Sequence, residues 1–234
     1  QGDFDRAERM FRSLMLVVGR DEDPEAPSKT EALLSLSELS IRRGDEARAQ
    51  ELIESAFEAS AENGREAVAL EAALRHRGRH DLLARALHGR LEQVLSPSEA
   101  ASALADLVVL HAEHLGGLEQ NRGDFRERAQ VIERLLDDTT ERGTDAAWAA
   151  LGRIYDHLGE PDAEARILER RLASADSSSA PPSDPDLYFR LARTKLAQKG
   201  TLEEGLGLLT KALELRLDPA LAQHREPEVV PRLR

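Results

Sequence analysis

Cysteine is absent from the 234-residue sequence. Disulfides, thiolate metal ligands and cysteine nucleophiles are thereby removed together, although a compartment is not chosen by that alone. Aromatic residues make up only 3%, so a core has to be built mainly from Leu and Ala. No run of about 18 apolar residues occurs, and no transmembrane helix is expected. The longest apolar block, Leu14 to Val18, is only about a turn and a half of helix. Positive charge is also short. The formal net charge is −12, which opposes general attraction to phosphate backbones and anionic lipids, so neither nucleic acid nor membrane is an expected partner. The opening residues, Gln1-Gly2-Asp3-Phe4, hold neither an initiator Met nor a signal peptide. They read as the middle of a repeat, which leads to the expectation of a piece of a longer, cytoplasmic polypeptide.

What is plentiful is Ala, Leu, Glu and Arg, with 32% charged residues, a composition suited to helices. The best-defined stretch is residues 144–172. There Trp148, Leu151, Tyr155 and Leu158 recur at three- and four-residue steps and place one apolar stripe along a helix. Gly152 shares that side, where a missing side chain would let a neighbouring helix approach closely. Gly159 ends the helix. Pro161 then begins another at the position where a missing N–H costs nothing. One hairpin of this size cannot cover its own apolar face, so several must stack.

Looser copies fill the rest of the chain. A leading half-unit carries Ala7, Met10, Phe11, Leu14 and Val18 on one side. Ser28-x-x-Glu31 is a capping box opening a helix with Leu33, Leu36, Leu39 and Ile41. Gly44 and Gly78 break the first and second hairpins, and Asn63-Gly64 lies between them. Ser96-Pro97-x-Glu99 starts the third, whose turn runs from Gly116-Gly117 to Gly123. Residues 173–184, rich in Ser and Pro, read as a flexible connector. Asp184-Pro185 opens a fifth pair, broken at Gly200 and closed by Pro219. The tail to Arg234 is either the start of a sixth unit or an irregular cap. With Gly2, Gly44, Gly78, Gly123, Gly159 and Gly200 as the breaks, the spacings by subtraction are 42, 34, 45, 36 and 41. The expected organisation is therefore one array, with repeats over 1–172, a connector over 173–184, and a final pair and tail over 185–234.

Trp148-x-x-Leu151-Gly152-x-x-Tyr155 resembles the first-helix signature of the tetratricopeptide repeat (TPR), and Ala7-x-x-x-Phe11 and Ala49-x-x-x-Ile53 resemble its second-helix signature. The other units are degenerate: Leu36-Ser37 and Leu191-Ala192 replace the Leu-Gly pair, and the longer spacings also fit a HEAT-like array. The resemblance implies an all-α fold, a right-handed superhelical solenoid of about five antiparallel helix pairs. It implies no catalysis, cofactor or metal, and a concave groove lined by first helices that binds a protein or peptide. Projected onto this sequence, the groove takes Leu34, Val68, Arg75, Ala150, Arg153, His157, Phe189, Arg190 and Arg193 among others. Arg153, Arg190 and Arg193 beside Phe189 would make a basic patch for an acidic partner segment, since guanidinium forks match carboxylates. The alternative for the same arginines is solvation or pairing with nearby acids. The Lys/Asn clamp that some TPR arrays use for C-terminal carboxylates is missing, because of Lys29, Lys195, Lys199 and Lys211 none but Lys195 falls on a projected first helix in the paired units.

Chemical sites are weakly supported. His111-x-x-His114 lacks a third metal ligand. His76 and His80 straddle Gly78. Asp137-Asp138 and Glu203-Glu204 are neighbours that point apart on a helix. Gly116-Gly117 is followed by Leu118-Glu119 and not by a phosphate-loop Lys. Two functional classes remain: an interaction scaffold, and an arm of a larger polypeptide that positions an effector domain.

Overall fold

The computed structural model describes residues 6, 8–11, 13, 28–93, 95–138, 144–176, 185–198 and 201–217. Besides the helical positions 6, 8–11 and 13, ten α-helices and no strand are found among them: α1 (Lys29–Arg42), α2 (Glu46–Glu62), α3 (Gly64–His76), α4 (His80–Leu91), α5 (Pro97–Glu113), α6 (Arg122–Asp137), α7 (Asp145–His157), α8 (Pro161–Asp176), α9 (Pro185–Ala197) and α10 (Leu202–Leu217). The chain divides into two compact units. One takes residues 1–95 with Glu113–Gly116, and the other takes Ser96–Ala112 with residues 117–234.

In the first unit each helix packs on the next, and α1 also packs on α3 and α2 on α4, so first helices line up with first helices and second with second. The seams are Leu on Ala. Leu33 and Leu36 of α1, Ala49, Ala56 and Ala59 of α2, and Leu70 and Leu74 of α3 are all buried. Small side chains let helix axes approach, and each buried Leu contributes about 2 kcal/mol. In the second unit α6 packs on α7, α7 on α8, α8 on α9 and α9 on α10. Phe125, Ala129, Leu151, Ile154, Tyr155, Ile167 and Leu168 make its interior.

The hairpin turns follow the glycines. Gly44, Gly78 and Gly159 have φ of 79°, 63° and 63°, left-handed values that L side chains resist. The third break differs from expectation. Gly116 and Gly117 carry the positive φ there, whereas Gly123 lies inside the first turn of α6.

Helix starts are capped in two ways. Ser96 and Glu99 form a complete box: the Ser96 N–H donates to Glu99 Oε2 at 3.0 Å and the Glu99 N–H donates to Ser96 Oγ at 3.3 Å. At α1 half of the expected box forms, with the Glu31 N–H donating to Ser28 Oγ at 3.0 Å. The carboxylate comes from the next hairpin. Glu66 of α3 accepts from the backbone N–H of Lys29 at 3.2 Å and of Thr30 at 2.9 Å, so an acid on one hairpin neutralises the exposed amide end of another.

Three further expectations are corrected. Leu34 and Ala150, projected onto the groove, are 3% and 1% exposed and belong to the core. Met10, expected inside, is 66% exposed. Residues 173–176, expected in the connector, belong to α8, which continues to Asp176. The remainder of that connector, the break at Gly200 and the tail from Asp218 lie outside the described residues.

Candidate functional site

The projected groove residues Val68, Arg75, Arg153, His157, Phe189, Arg190 and Arg193 fall on three first helices, of which α3 belongs to the first unit and α7 and α9 to the second. On α3, Val68, Ala72, Arg75 and His76 are exposed along one face while Leu70, Ala73 and Leu74 are buried on the other. On α7, Arg153, Asp156 and His157 leave the helix opposite the buried Trp148, Leu151 and Tyr155. Phe189 and Arg190 of α9 are half-buried and Arg193 is exposed. The structure brings α7 and α9 residues together directly, since Arg193 Nη2 donates to Asp156 Oδ1 at 3.0 Å.

The basic patch is largely tied to acids. Arg190 Nη2 donates to Glu164 Oε1 at 2.8 Å, and Glu164 is only 4% exposed. Thr194 Oγ1 donates to the other Glu164 oxygen at 3.3 Å, and Arg193 approaches Glu164 at 3.8 Å. Burying a carboxylate costs several kcal/mol unless it is paired, so Arg190 is held by a structural requirement of α8. Reversing its charge would strand Glu164 and report on folding. Phe189 is covered as well: the Arg216 guanidinium of α10 lies 4.4 Å from its ring centre, a cation over a π face. Arg153 behaves differently. It is exposed, and no acid pairs with it among the described residues. His157, one turn further along α7, is exposed too.

Reading of the sequence missed the acids that sit on apolar stripes. Glu164 stands between Ala163 and Ala165, and Glu133 directly follows Ile132, all three neighbours being buried. A charge at a core position was the available signal. Glu133 Oε1 and Oε2 accept from Arg166 at 3.0 Å each, and Oε2 accepts from the Tyr155 hydroxyl at 3.1 Å. Glu71, 6% exposed, pairs with Arg90 at 3.1 Å in the first unit.

The histidines do not converge. His111 lies edge-on to Phe125 with ring centres 5.2 Å apart, and its Nδ1 is 3.4 Å from Asn121 Nδ2. His114 stacks on His80 at 3.9 Å. No cluster of three or more metal-ligating side chains occurs among the described residues, and no helix among them is long and apolar enough to cross a membrane.

Comparison with protein-family models and with curated proteins gives no match. Solved structures do match. Crystal structures of nearly identical TPR-like repeats assigned to a kinesin light chain of Podosopora anserina, one of them a point variant, align with 88% and 86% of this chain and 100% and 99% of their own. Each is 17% identical with a TM-score of 0.52. BtubC from P. vanneervenii aligns with 100% of this chain and 79% of its own, at 22% identity and a TM-score of 0.43. At 17% identity the likeness is one of fold: this is an all-α chain of TPR-like helix pairs.

Proposed function

We propose that this chain is a non-catalytic interaction scaffold, and that the first-helix face of α7 and α9 takes an acidic segment of a partner protein. One observation carries the reading: Arg153 stands exposed beside His157, with no acid paired to it among the described residues, on a chain of net charge −12. The neighbouring arginines are engaged by acids, but not equally. Arg193 is 63% exposed and its partner Asp156 is 46% exposed. A solvated pair of this kind is worth at most about 1 kcal/mol, so an incoming carboxylate can exchange with Asp156 at little cost. Arg153 and Arg193 are therefore the reading residues, with His157 at their side and Arg190 and Phe189 fixing the platform beneath. Arg75 on α3 belongs to the same class of first-helix residue in the other unit.

A second reading, an arm that positions another domain of a longer polypeptide, draws support from the ion pairs that join neighbouring helices. Arg85 grips Glu54 through two bonds of 2.8 and 2.5 Å. Arg171 grips Asp145 through two bonds of 2.9 and 3.0 Å. Forked pairs hold orientation as well as distance, which suits a spacer.

Fluorescence anisotropy with a panel of labelled acidic peptides, run at low and at physiological salt, tests the scaffold reading. Saturable, salt-weakened binding that falls about tenfold or more in the Arg153→Glu, Arg193→Glu double variant is expected, since each opposed charge pair is worth on the order of 1 kcal/mol. Equal affinity of the variant and the native chain would remove the patch from consideration.

A further inference from the structure

Asp156 lies three residues after Arg153 on α7, a spacing at which an acid and an arginine on one helix face can pair. Its carboxylate goes elsewhere. It accepts from Arg193 Nη2 of α9 at 3.0 Å, so an acid of one hairpin occupies the exposed arginine of the next. The two side chains are 46% and 63% exposed, and a ligand can reach both. A second acid near Arg193 is Glu164, at 3.8 Å. That carboxylate is buried and held by Arg190 at 2.8 Å and by the Thr194 hydroxyl at 3.3 Å. Other acids on these helices are also engaged: Glu160 with Arg126, Asp162 with Gln198 and Asp186 with Arg216. Asp156 is therefore the acid that can yield.

What can displace it follows from its tether. Asp156 is fixed beside Arg193 by its own helix, so its effective concentration there exceeds that of a free ligand. A single Asp or Glu of a partner offers the same monoanion and gains little by the exchange. A run of acids brings more charge but spreads it along a chain of net charge −12, which repels it. A phosphate ester instead concentrates about −1.5 to −2 at one point and carries three acceptor oxygens. It can take the Arg193 fork and the Arg153 fork together, since Arg153 stands one turn of α7 from Asp156. Over the Debye length of about 8 Å that local attraction persists, while salt screens the more distant acids. The same net charge opposes extended polyanions, an anionic membrane or a nucleic acid.

We infer that the α7–α9 face reads a phosphorylated serine or threonine on an otherwise weakly charged partner segment. Arg193 and Arg153 hold the phosphate, and Asp156 is a built-in competitor that turns away single carboxylates. On binding, Asp156 swings into solvent, which its half-exposed position allows. The inference rests on the scaffold reading and narrows its ligand.

Three labelled peptides that differ at one position, Ser, Glu or phosphoserine in an otherwise uncharged sequence, are titrated into the full chain by fluorescence anisotropy. The phosphoserine peptide is expected to bind about tenfold or more tighter than the Glu peptide. Arg153→Gln and Arg193→Gln, whose helix content is checked by circular dichroism, should each remove most of that preference. Asp156→Asn should tighten the phosphoserine peptide several-fold, because the internal competitor is gone. Equal binding of the Glu and phosphoserine peptides, or a phosphoserine affinity that Asp156→Asn leaves unchanged, overturns the inference. The scaffold reading survives that result if the acidic peptide panel still binds, and falls with it if no peptide of either set binds. Capture by vesicles containing a phosphoinositide, without capture of the phosphoserine peptide, assigns the arginines to a lipid surface and overturns the inference as well.

Discussion

The Tyr155 hydroxyl donates to Glu133 at 3.1 Å while both side chains are buried. Three helices meet there, because Arg166 of α8 closes the other side of the carboxylate with two bonds of 3.0 Å. A signature tyrosine of the first helix thus serves as a neutral donor to an acid on the preceding second helix. Burial pushes the Tyr155 phenol well above its ordinary range, and the adjacent Glu133 charge adds to that.

The sign of the resulting pH dependence follows. A group whose folded pKa is raised contributes stability that is fully present below its unfolded value, about 10 for Tyr, and is lost as the pH climbs from there toward the folded value. Denaturant melts between pH 8 and 11 should show stability falling above about pH 10 in the native chain, with a shallower fall in Tyr155→Phe. At pH 8 the Phe variant should lose about 1 kcal/mol, the usual worth of one hydrogen bond whose acceptor keeps other partners. Identical alkaline limbs in the two proteins would show that Tyr155 is not held neutral by the fold.

Glu66 governs the acid side. Burial pushes its carboxyl upward, but the N–H groups of Thr30 and Lys29 and the Thr30 hydroxyl outweigh that and bring it below the ordinary value. The stability this contributes is present above the unfolded value of about 4.3 and is lost as the pH falls through the lowered folded value. Glu66→Gln should cost about 0.5–2 kcal/mol at neutral pH, as the loss of a helix cap does, and should flatten the acid limb of the stability curve. Guanidinium melts at pH 7 and pH 3.5 would check it. A cost that is the same at both values would separate Glu66 from the acid response.

Two glycines within helices separate a close approach from mere sequence signature. Gly152 resembles the signature glycine, yet a Cβ there would meet Arg190, Ile167 and Leu168 at 3.8 Å, ordinary contact distance. Gly152→Ala should therefore gain about 0.5–1 kcal/mol from helix propensity. At Gly205 a Cβ would fall 2.7 Å from Leu196 Cγ and 3.1 Å from its backbone N. Helix α9 cannot yield there without shifting, so Gly205→Ala should lose roughly 1–3 kcal/mol despite the better propensity. Thermal melts of the two variants should move in opposite directions.

That contrast shows what one sequence makes legible. Gly44, Gly78 and Gly159 were readable because each interrupts a three-to-four periodicity, and Ser96-Pro97-x-Glu99 because capping is local. The third break was misplaced, since Gly123 stands in a run of polar residues where either it or Gly116-Gly117 could turn the chain. Longer-range pairings left almost no local trace. Glu164 and Arg190, or Glu133 and Arg166, meet only after hairpins stack, and an Arg on a helix face reads as solvated until its acid is found. Arg153 and His157 are exposed, whereas Arg190 is half-buried against Glu164 of α8.

The remaining prediction concerns Trp148, the chain's single tryptophan, which is 7% exposed at the contact of α7 with its neighbours. Arg170 of α8 lies over its ring at 5.3 Å and is at the same time paired with Asp137 of α6. The ring therefore supports an ion pair that bridges the helices on both sides of it. Trp148→Ala should cost about 3–5 kcal/mol, the range for deleting a large aromatic from a core. For a chain of this size that lowers the melting temperature by roughly 10 °C. Because stacked helix pairs support their neighbours, hydrogen exchange should speed up in α6 and α8 as well as in α7. Arg170→Ala separates the two contributions: its guanidinium is partly solvated, so a loss of about 1 kcal/mol or less is expected, and the rest of the Trp148 effect is then the cavity. Near-native melting of Trp148→Ala would contradict the burial on which the whole α6–α8 packing rests.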